Sequence, residues 1–179
     1  MSSEGIIVNR VASSGLVTVD LEEYHQPGER ILIDVKDQLY QGFVLKEKDF
    51  REFVKSHDWS QYKERFVAIT CTAEAIVPTW AYMLLAVALQ PYARLFVFGT
   101  LTRLEEKLFE RSLSAVNWDD FRGKRVVVKG CSKVDVPVAV YVEVVRQLQP
   151  VVVSLMFGVP CSTVPLYKAS KSLSASGEA

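Results

Sequence analysis

The sequence has little cysteine, little histidine and no excess of charge of either sign. Its 179 residues include 3 cysteines and 2 histidines, and 21 Lys+Arg balance 21 Asp+Glu. A small, odd number of cysteines excludes the disulfide framework of a small secreted domain. A net charge of zero excludes the basic surface that nucleic-acid binding requires, so no nucleic-acid partner is expected. Hydrophobic residues make up 49% of the chain, which excludes an intrinsically disordered protein.

Uninterrupted apolar runs and targeting signals are also missing. The N-terminal residues lack the basic start and apolar run of a secretory signal. Residues 75–93 and 147–167 carry no charge, but both stretches contain prolines and fall short of the about 20 continuous apolar residues of a membrane helix. No glycine-rich phosphate-binding loop follows a strand. We therefore expect a cytoplasmic protein that is soluble and has no membrane partner.

The sequence contains an internal repeat, in which residues 50–99 align with residues 109–158. In this alignment 11 of the 50 positions are identical without a gap. The identities include Leu89-Gln90-Pro91 with Leu148-Gln149-Pro150, and Phe98-Gly99 with Phe157-Gly158. Similarity at a fixed period is the sign of a duplicated structural unit, and we call the shift between the two copies the repeat offset.

Each repeat shows the same order of helix and strand signals. Amphipathic helices are predicted at Lys46–His57 and Leu101–Val116, followed by β-rich runs at Arg65–Thr70 and Arg125–Lys129. A Val-Pro pair then opens a second helix in each repeat, and a second apolar strand follows it. Alternating helices and near-continuous apolar strands predict an α/β fold with an open, mostly parallel sheet of four strands and helices on both faces.

The domain organisation follows from these patterns. Residues 1–45 are expected to add N-terminal antiparallel strands to the same domain, with a turn between Arg30–Val35 and Tyr40–Leu45. Residues 46–167 are expected to form the duplicated α/β layer, with its copies at 46–99 and 101–158. Residues 168–179 are rich in serine and poor in apolar residues, which predicts a disordered tail.

All three cysteines follow predicted strands. Cys71 and Cys131 come after the first strand of each repeat, and Cys161 comes after the last strand. Because parallel strands end at one edge of a sheet, we expect the three thiols to lie at the same edge. Three thiolates near each other call for a cation, so Cys71, Cys131 and Cys161 are predicted to bind zinc or an iron–sulfur cluster.

Other interpretations of the cysteines remain open. A fourth metal ligand could come from His25, Glu74 or Asp135. One cysteine with a lowered pKa could instead serve a thiol enzyme or a sulfur carrier. The cysteines could also be packing residues of a non-catalytic interaction module. Whether the protein is an enzyme is left open by the sequence, and its composition is compatible with a homodimer through a sheet edge or a helix face.

Several stretches of the sequence resemble a bacterial family known only as a domain of unknown function. The resemblance rests on VNRVASSGLVTVDLEEY, KDFREFVKSHDWSQY, AIVPTWAYMLLA, LQPYA and GVPCSTVPLYK, and it covers residues 5–168. The resemblance also implies a gene neighbourhood of iron–sulfur cluster assembly genes of the sulfur-mobilisation type. The resemblance therefore implies an accessory role in iron–sulfur or metal handling, with iron–sulfur assembly proteins as partners.

Overall fold

The computed structural model of the chain describes residues 15–130, 133–159 and 162–170. In chain order, the strands are β1 (Leu16–Asp20), β2 (Arg30–Asp34), β3 (Phe66–Thr70), β4 (Leu95–Phe98), β5 (Arg125–Lys129), β6 (Ser154–Val159) and β7 (Ser162–Lys168). The helices are α1 (Glu47–Ser56), α2 (Thr79–Leu89), α3 (Leu101–Leu113) and α4 (Val138–Leu148). Short 3-10 helices cover Leu21–Tyr24, Val35–Gln38, Trp59–Tyr62 and Trp118–Phe121.

The chain divides into two compact units. One unit, which we call the inserted unit, comprises Gln26–Leu108. The other, which we call the split unit, comprises Met1–His25 and Phe109–Ala179. The expected boundary after residue 45 lies within the inserted unit, and the domain organisation expected from the sequence stays a prediction.

The inserted unit contains a three-stranded parallel sheet in the order β2-β3-β4. Successive side chains of a strand point to opposite faces of the sheet, and helices cover both faces of the central strand β3. Phe66 and Ala68 pack against α3 on one face, and Val67 and Ile69 pack against α1 and α2 on the other. The predicted parallel sheet with helices on both faces is therefore confirmed in this unit.

The split unit contains a four-stranded sheet in the order β1-β5-β6-β7. The first three strands are parallel, and β7 pairs antiparallel with β6. Val126 and Val128 of β5 lie in a core cluster with Val140 and Val144 of α4. This is the packing expected of a β-α-β crossover, in which the helix covers the strands it connects.

The prediction of one sheet with four parallel repeat strands is wrong, because those strands belong to two sheets. β1 pairs with β5, which lies far along the chain, with Leu16 opposite Arg125. Strands that follow each other along the chain usually pair with each other, and the pairing of β1 with β5 departs from that tendency. Here the inserted unit separates β1 from the rest of its own sheet.

The prediction of antiparallel N-terminal strands is also wrong. β1 and β2 each join a sheet in the parallel direction, beside β5 and β3. The segment expected to pair with β2 forms a turn instead, in which Tyr40 and Val44 make an isolated bridge and Gln41 and Gly42 have positive φ angles. The antiparallel strand lies at the other end of the chain, in β7, which the sequence patterns did not predict.

The bounds of the elements follow the repeat offset seen in the sequence. This offset relates β3 to β5, α2 to α4, and Trp59–Tyr62 to Trp118–Phe121, and it relates the first residues of β4 and β6. A second, shorter offset, which takes Leu16 to Arg30, relates β1 and its 3-10 helix to β2 and its 3-10 helix. We call residues related by these two offsets counterparts. A duplication as the origin of this order stays a prediction.

Two further expectations concern membranes and the tail. Within the part of the chain that the structure describes, none of the helices has both the length and the apolar composition to cross a membrane. Of the predicted tail, Lys168 is the last residue of β7, and residues 171–179 lie outside the described residues.

Candidate functional site

The carboxyl ends of the strands in the inserted unit meet at one edge of its sheet, where Asp34 ends β2. The Asp34 carboxylate accepts hydrogen bonds from the hydroxyl and the backbone N–H of Thr72, at 2.6 and 3.1 Å. It also accepts one from the backbone N–H of Lys36 at 3.0 Å, and the Lys36 ammonium lies 3.3 Å away. Asp34 thus ties the end of β2 to the loop after β3.

These contacts keep Asp34 ionised. Burial by itself raises the pKa of Asp34, but the hydrogen bonds from Thr72 and Lys36 outweigh it and lower the pKa to about 2. The edge therefore carries a fixed negative charge throughout the neutral pH range.

Cys71 is the first residue after β3, at the sheet edge where the sequence predicted it. Its side chain is half-buried and packs against the hydrophobic core of the inserted unit. The Sγ atom donates to the carbonyl oxygen of Ala73, with 3.7 Å between the two atoms. The thiol thus has packing partners in the core and a polar partner in its own loop.

Tyr82, on the second turn of α2, lies at the same edge. Burial raises the pKa of Tyr82, and the electrostatic influence of Cys71 and Asp34 raises it further. Its ring packs edge-on against Phe98 of β4, with 4.9 Å between the centroids. The phenol therefore stays protonated and available as a donor near a thiol and a carboxylate.

The split unit has a corresponding edge with different chemistry. Asp20, the counterpart of Asp34, accepts a hydrogen bond from the Lys129 ammonium at 2.6 Å, and this bond raises the pKa of Lys129. Glu22 accepts one from the backbone N–H of Lys133 at 2.8 Å. Tyr141 packs edge-on against Phe157, as Tyr82 does against Phe98.

The premise that all three cysteines follow strands of one sheet is wrong. Cys71 follows β3 in the inserted unit, whereas Cys131 and Cys161 follow, in sequence, β5 and β6 of the split unit. Cys131 and Cys161 themselves lie outside the described residues. A metal site of three cysteines therefore stays a prediction, without the support of a shared sheet.

His25, Glu74 and Asp135, the alternative fourth ligands, each stay a prediction. Glu74 and Asp135 are exposed, and the ring of His25 lies 6.3 Å from the ring of Phe109. Within residues 15–130, 133–159 and 162–170, no three side chains of His, Cys, Asp or Glu are placed to hold a metal ion.

Asp34 and Asp20 are the site residues that the sequence patterns missed. The signal was the recurrence of an aspartate at the end of an apolar strand, in VTVD and ILID, followed at once by another apolar residue. An aspartate at the end of a strand caps the turn that follows it, and both of these side chains accept the backbone N–H two residues on. The shorter offset, between β1 and β2, would have identified them as a pair.

Comparison with known proteins yields one finding. A family model described as a protein of unknown function (DUF2480) matches residues 5–169. Neither a curated protein nor a solved structure matches the chain. The resemblance to a domain of unknown function is thereby confirmed, and the match itself carries no activity.

Proposed function

The chain belongs to the DUF2480 family of proteins of unknown function, and we propose from its geometry that it is a non-catalytic interaction module that pairs with a second copy of itself through α2. The observation that carries this proposal is an apolar stripe on the outer side of that helix. Met83 and Val87, one helical turn apart, are 64% and 70% exposed. The position of Cys71, packed against the core, agrees with a structural role for this cysteine.

α2 has the composition of a helix that is covered on all sides. None of its 11 residues, TWAYMLLAVAL, is charged. Its inner side packs in the core of the inserted unit through Ala81, Leu85 and Leu89. A helix that is apolar on every side is normally buried, so its outer stripe calls for a covering surface.

The counterpart helix α4 shows what a solvent-exposed helix of the same length looks like in this chain. At the position of Val87, α4 has Arg146, which forms an ion pair with Glu143 at 2.6 Å. Charged pairs of this kind are typical of an exposed helix face. The difference between Val87 and Arg146 therefore supports a covering surface on α2 at the position where α4 carries an ion pair.

A second copy of the chain is the occupant that fits this stripe. Because α2 is uncharged and the chain has a net charge of zero, two copies meet without electrostatic repulsion. Most homo-oligomers are two-fold dimers whose interface is the same patch on both subunits. An antiparallel pair of α2 helices would place Met83 of one copy opposite Val87 of the other.

The test is sedimentation velocity over a range of protein concentrations, with matched variants on the two helices. We expect the wild-type protein to form a dimer in the micromolar range. Val87→Arg, which introduces the residue of the counterpart position, is expected to yield a monomer. Val142→Arg on α4, at an equally exposed valine, is the control and should remain dimeric. A monomeric wild type, or dimerisation unaffected by Val87→Arg, would contradict the proposal.

Metal binding is our second proposal, supported by the pairing of β5 and β6. These two strands are parallel neighbours, and Cys131 and Cys161 each come two residues after the last residue of one of them. Their chain positions therefore follow the same edge of one sheet, as the sequence-based hypothesis of a zinc or iron–sulfur site requires. A cytoplasmic, reducing environment and iron–sulfur assembly proteins as partners belong to this proposal.

Metal analysis of anaerobically purified protein, made without a metal-affinity tag, tests the second proposal. We expect zinc or iron at about one equivalent per site, lost in Cys131→Ser and in Cys161→Ser. Loss in Cys71→Ser as well would restore the three-cysteine site. Protein without metal, in which a single cysteine is alkylated rapidly, would favour the thiol-enzyme hypothesis instead.

A further inference from the structure

The inserted unit contains a cavity of about 190 Å³ between β2 with its following 3-10 helix and α1. Aromatic side chains form its inner wall, and polar side chains lie among them. The aromatic residues are Phe50, Phe53 and Tyr62, and the polar ones include Asp37, Gln38 and His57. An engineered apolar cavity of about 150 Å³ binds benzene, so this one has room for a ring-sized ligand.

The polar side chains are held in defined positions. Nε2 of His57 lies 3.1 Å from the Tyr62 hydroxyl and 3.1 Å from the amide nitrogen of Gln61. The His57 and Tyr62 rings stack at an interplanar angle of 23°. Tyr62 itself is 7% exposed. Fixed polar groups among aromatic walls are characteristic of small-molecule sites.

The split unit shows that the fold does not need these polar residues. The counterparts of Gln38, His57 and Tyr62 are Tyr24, Val116 and Phe121. All three counterparts pack against the hydrophobic core of the split unit. The inserted unit thus has polar side chains at three positions where the same arrangement of elements accepts apolar or aromatic packing residues.

The charges around the cavity define the ligand that it would bind. Among the described residues that line the cavity, Asp34 and Asp37 carry charge, and both are acidic. Asp34 is engaged by Thr72 and Lys36, whereas Asp37 is exposed at the cavity. A cation gains from a nearby carboxylate and from the electron-rich faces of aromatic rings.

We propose that this cavity binds a small organic ammonium ion, with the apolar part of the ligand against Phe50 and Phe53 and the ammonium group toward Asp37. This inference does not depend on the proposed dimer. It assigns to the inserted unit a ligand site of its own, in which Gln38, His57 and Tyr62 stand where the split unit has Tyr24, Val116 and Phe121.

The test uses 2-phenylethylammonium as the probe and the full chain as the protein. Isothermal titration calorimetry measures the affinity, and NMR chemical-shift changes locate the binding site. We expect the cation to bind and to shift the resonances of His57 and Tyr62. The neutral analogue 2-phenylethanol and the anion phenylacetate are expected to bind several-fold more weakly, because they lack the attraction to Asp37.

Variants separate the cavity from nonspecific attraction to an acidic surface. Asp37 is exposed, so Asp37→Asn leaves the core intact and should weaken binding of the cation several-fold. Glu23 is the counterpart of Asp37 in the split unit, and Glu23→Gln should leave the affinity unchanged. Gln38→Tyr introduces the packing residue of the split unit and should abolish binding. The proposal is overturned if the cation does not bind, if all three probes bind equally, or if Asp37→Asn and Glu23→Gln have the same effect.

Discussion

Asp34 illustrates how one side chain can join two loops at the end of a parallel sheet. Its carboxylate accepts hydrogen bonds from Thr72 and Lys36. The Asp34 side chain is 11% exposed. Because its folded-state pKa of about 2 lies below the ordinary value of 3.8, its stabilising effect is present above pH 4. The effect is lost as the pH falls from about 4 to about 2, where the carboxylate becomes protonated in the folded protein.

We predict that Asp34→Asn lowers the free energy of unfolding by about 1 kcal/mol at pH 7, because the hydrogen bonds from Thr72 and Lys36 lose their charged acceptor. The difference from the wild type should shrink between pH 4 and pH 2. Urea unfolding of both proteins across this pH range measures it. A difference that stays constant with pH would show that Asp34 acts through its shape and not through its charge.

Gly158, in β6, occupies a position that excludes larger side chains. Its φ angle is +123°, and a Cβ atom there would clash with the carbonyl oxygen of Ser162. We predict that Gly158→Ala destabilises the protein by several kcal/mol, since backbone strain and a backbone clash add together. Gly123→Ala is the control, because Gly123 also has a positive φ but no neighbouring atom within 4 Å of a Cβ. Equal losses of thermal stability in the two variants would contradict the role of the clash.

Single residues also show how far the sequence could identify the candidate site. The place of Cys71 after β3 was predicted, because a short apolar run followed by a small polar loop marks the end of a strand. The partnership of Asp34 with Thr72 was not, because the two residues are far apart in the sequence and no local pattern connects them. The cavity beside α1 was not predicted either. It is distinguished by Gln38, His57 and Tyr62, which are more polar than their counterparts in the split unit.

At the scale of elements, local signals were sufficient for most of the helices and strands. The bounds predicted for β5 agree with the structure, because this strand is a run of β-branched residues between charged ends. β7 was missed because Ser162, Thr163 and Pro165 obscure its pattern and its side chains are mostly exposed. A strand of this kind forms because the edge of β6 offers unpaired backbone groups, which a local sequence pattern does not reveal.

β5 and β7 should also differ in their dynamics. β5 is paired on both sides, with β1 and β6, and Val126, Val127 and Val128 are buried. Among the strands that the structure describes, β7 pairs with β6 alone. We predict that the amides of β5 exchange with solvent orders of magnitude more slowly than those of β7, because local opening of the edge strand exposes little apolar surface. Hydrogen exchange followed by mass spectrometry or NMR measures both strands in one experiment. Similar rates would indicate that β7 opens only with the whole sheet.

At the scale of the whole molecule, the assignment of strands to sheets could not be derived from the sequence. In the two-sheet arrangement, β1 pairs with β5, although the whole inserted unit lies between them in the sequence. The hydrophobic patterns of β1 and β2 are both compatible with either partner, so pairing is decided by which helices cover which strand. The repeat was the strongest clue, because each of its copies carries enough helices and strands for a compact unit of its own.

A dimer through α2 has a consequence for the stability of the whole molecule that sedimentation does not measure. If folded chains associate and unfolded chains do not, mass action makes the thermal midpoint rise with protein concentration. We predict that each tenfold rise in concentration adds up to about 1.4 kcal/mol to the free energy of unfolding per dimer. Val87→Arg should remove this dependence, because a charge on the apolar stripe would be buried without a partner, and Val142→Arg should retain it. Differential scanning calorimetry at several concentrations measures the three proteins, and a concentration-independent midpoint for the wild type would mean that α2 is not covered by a second copy.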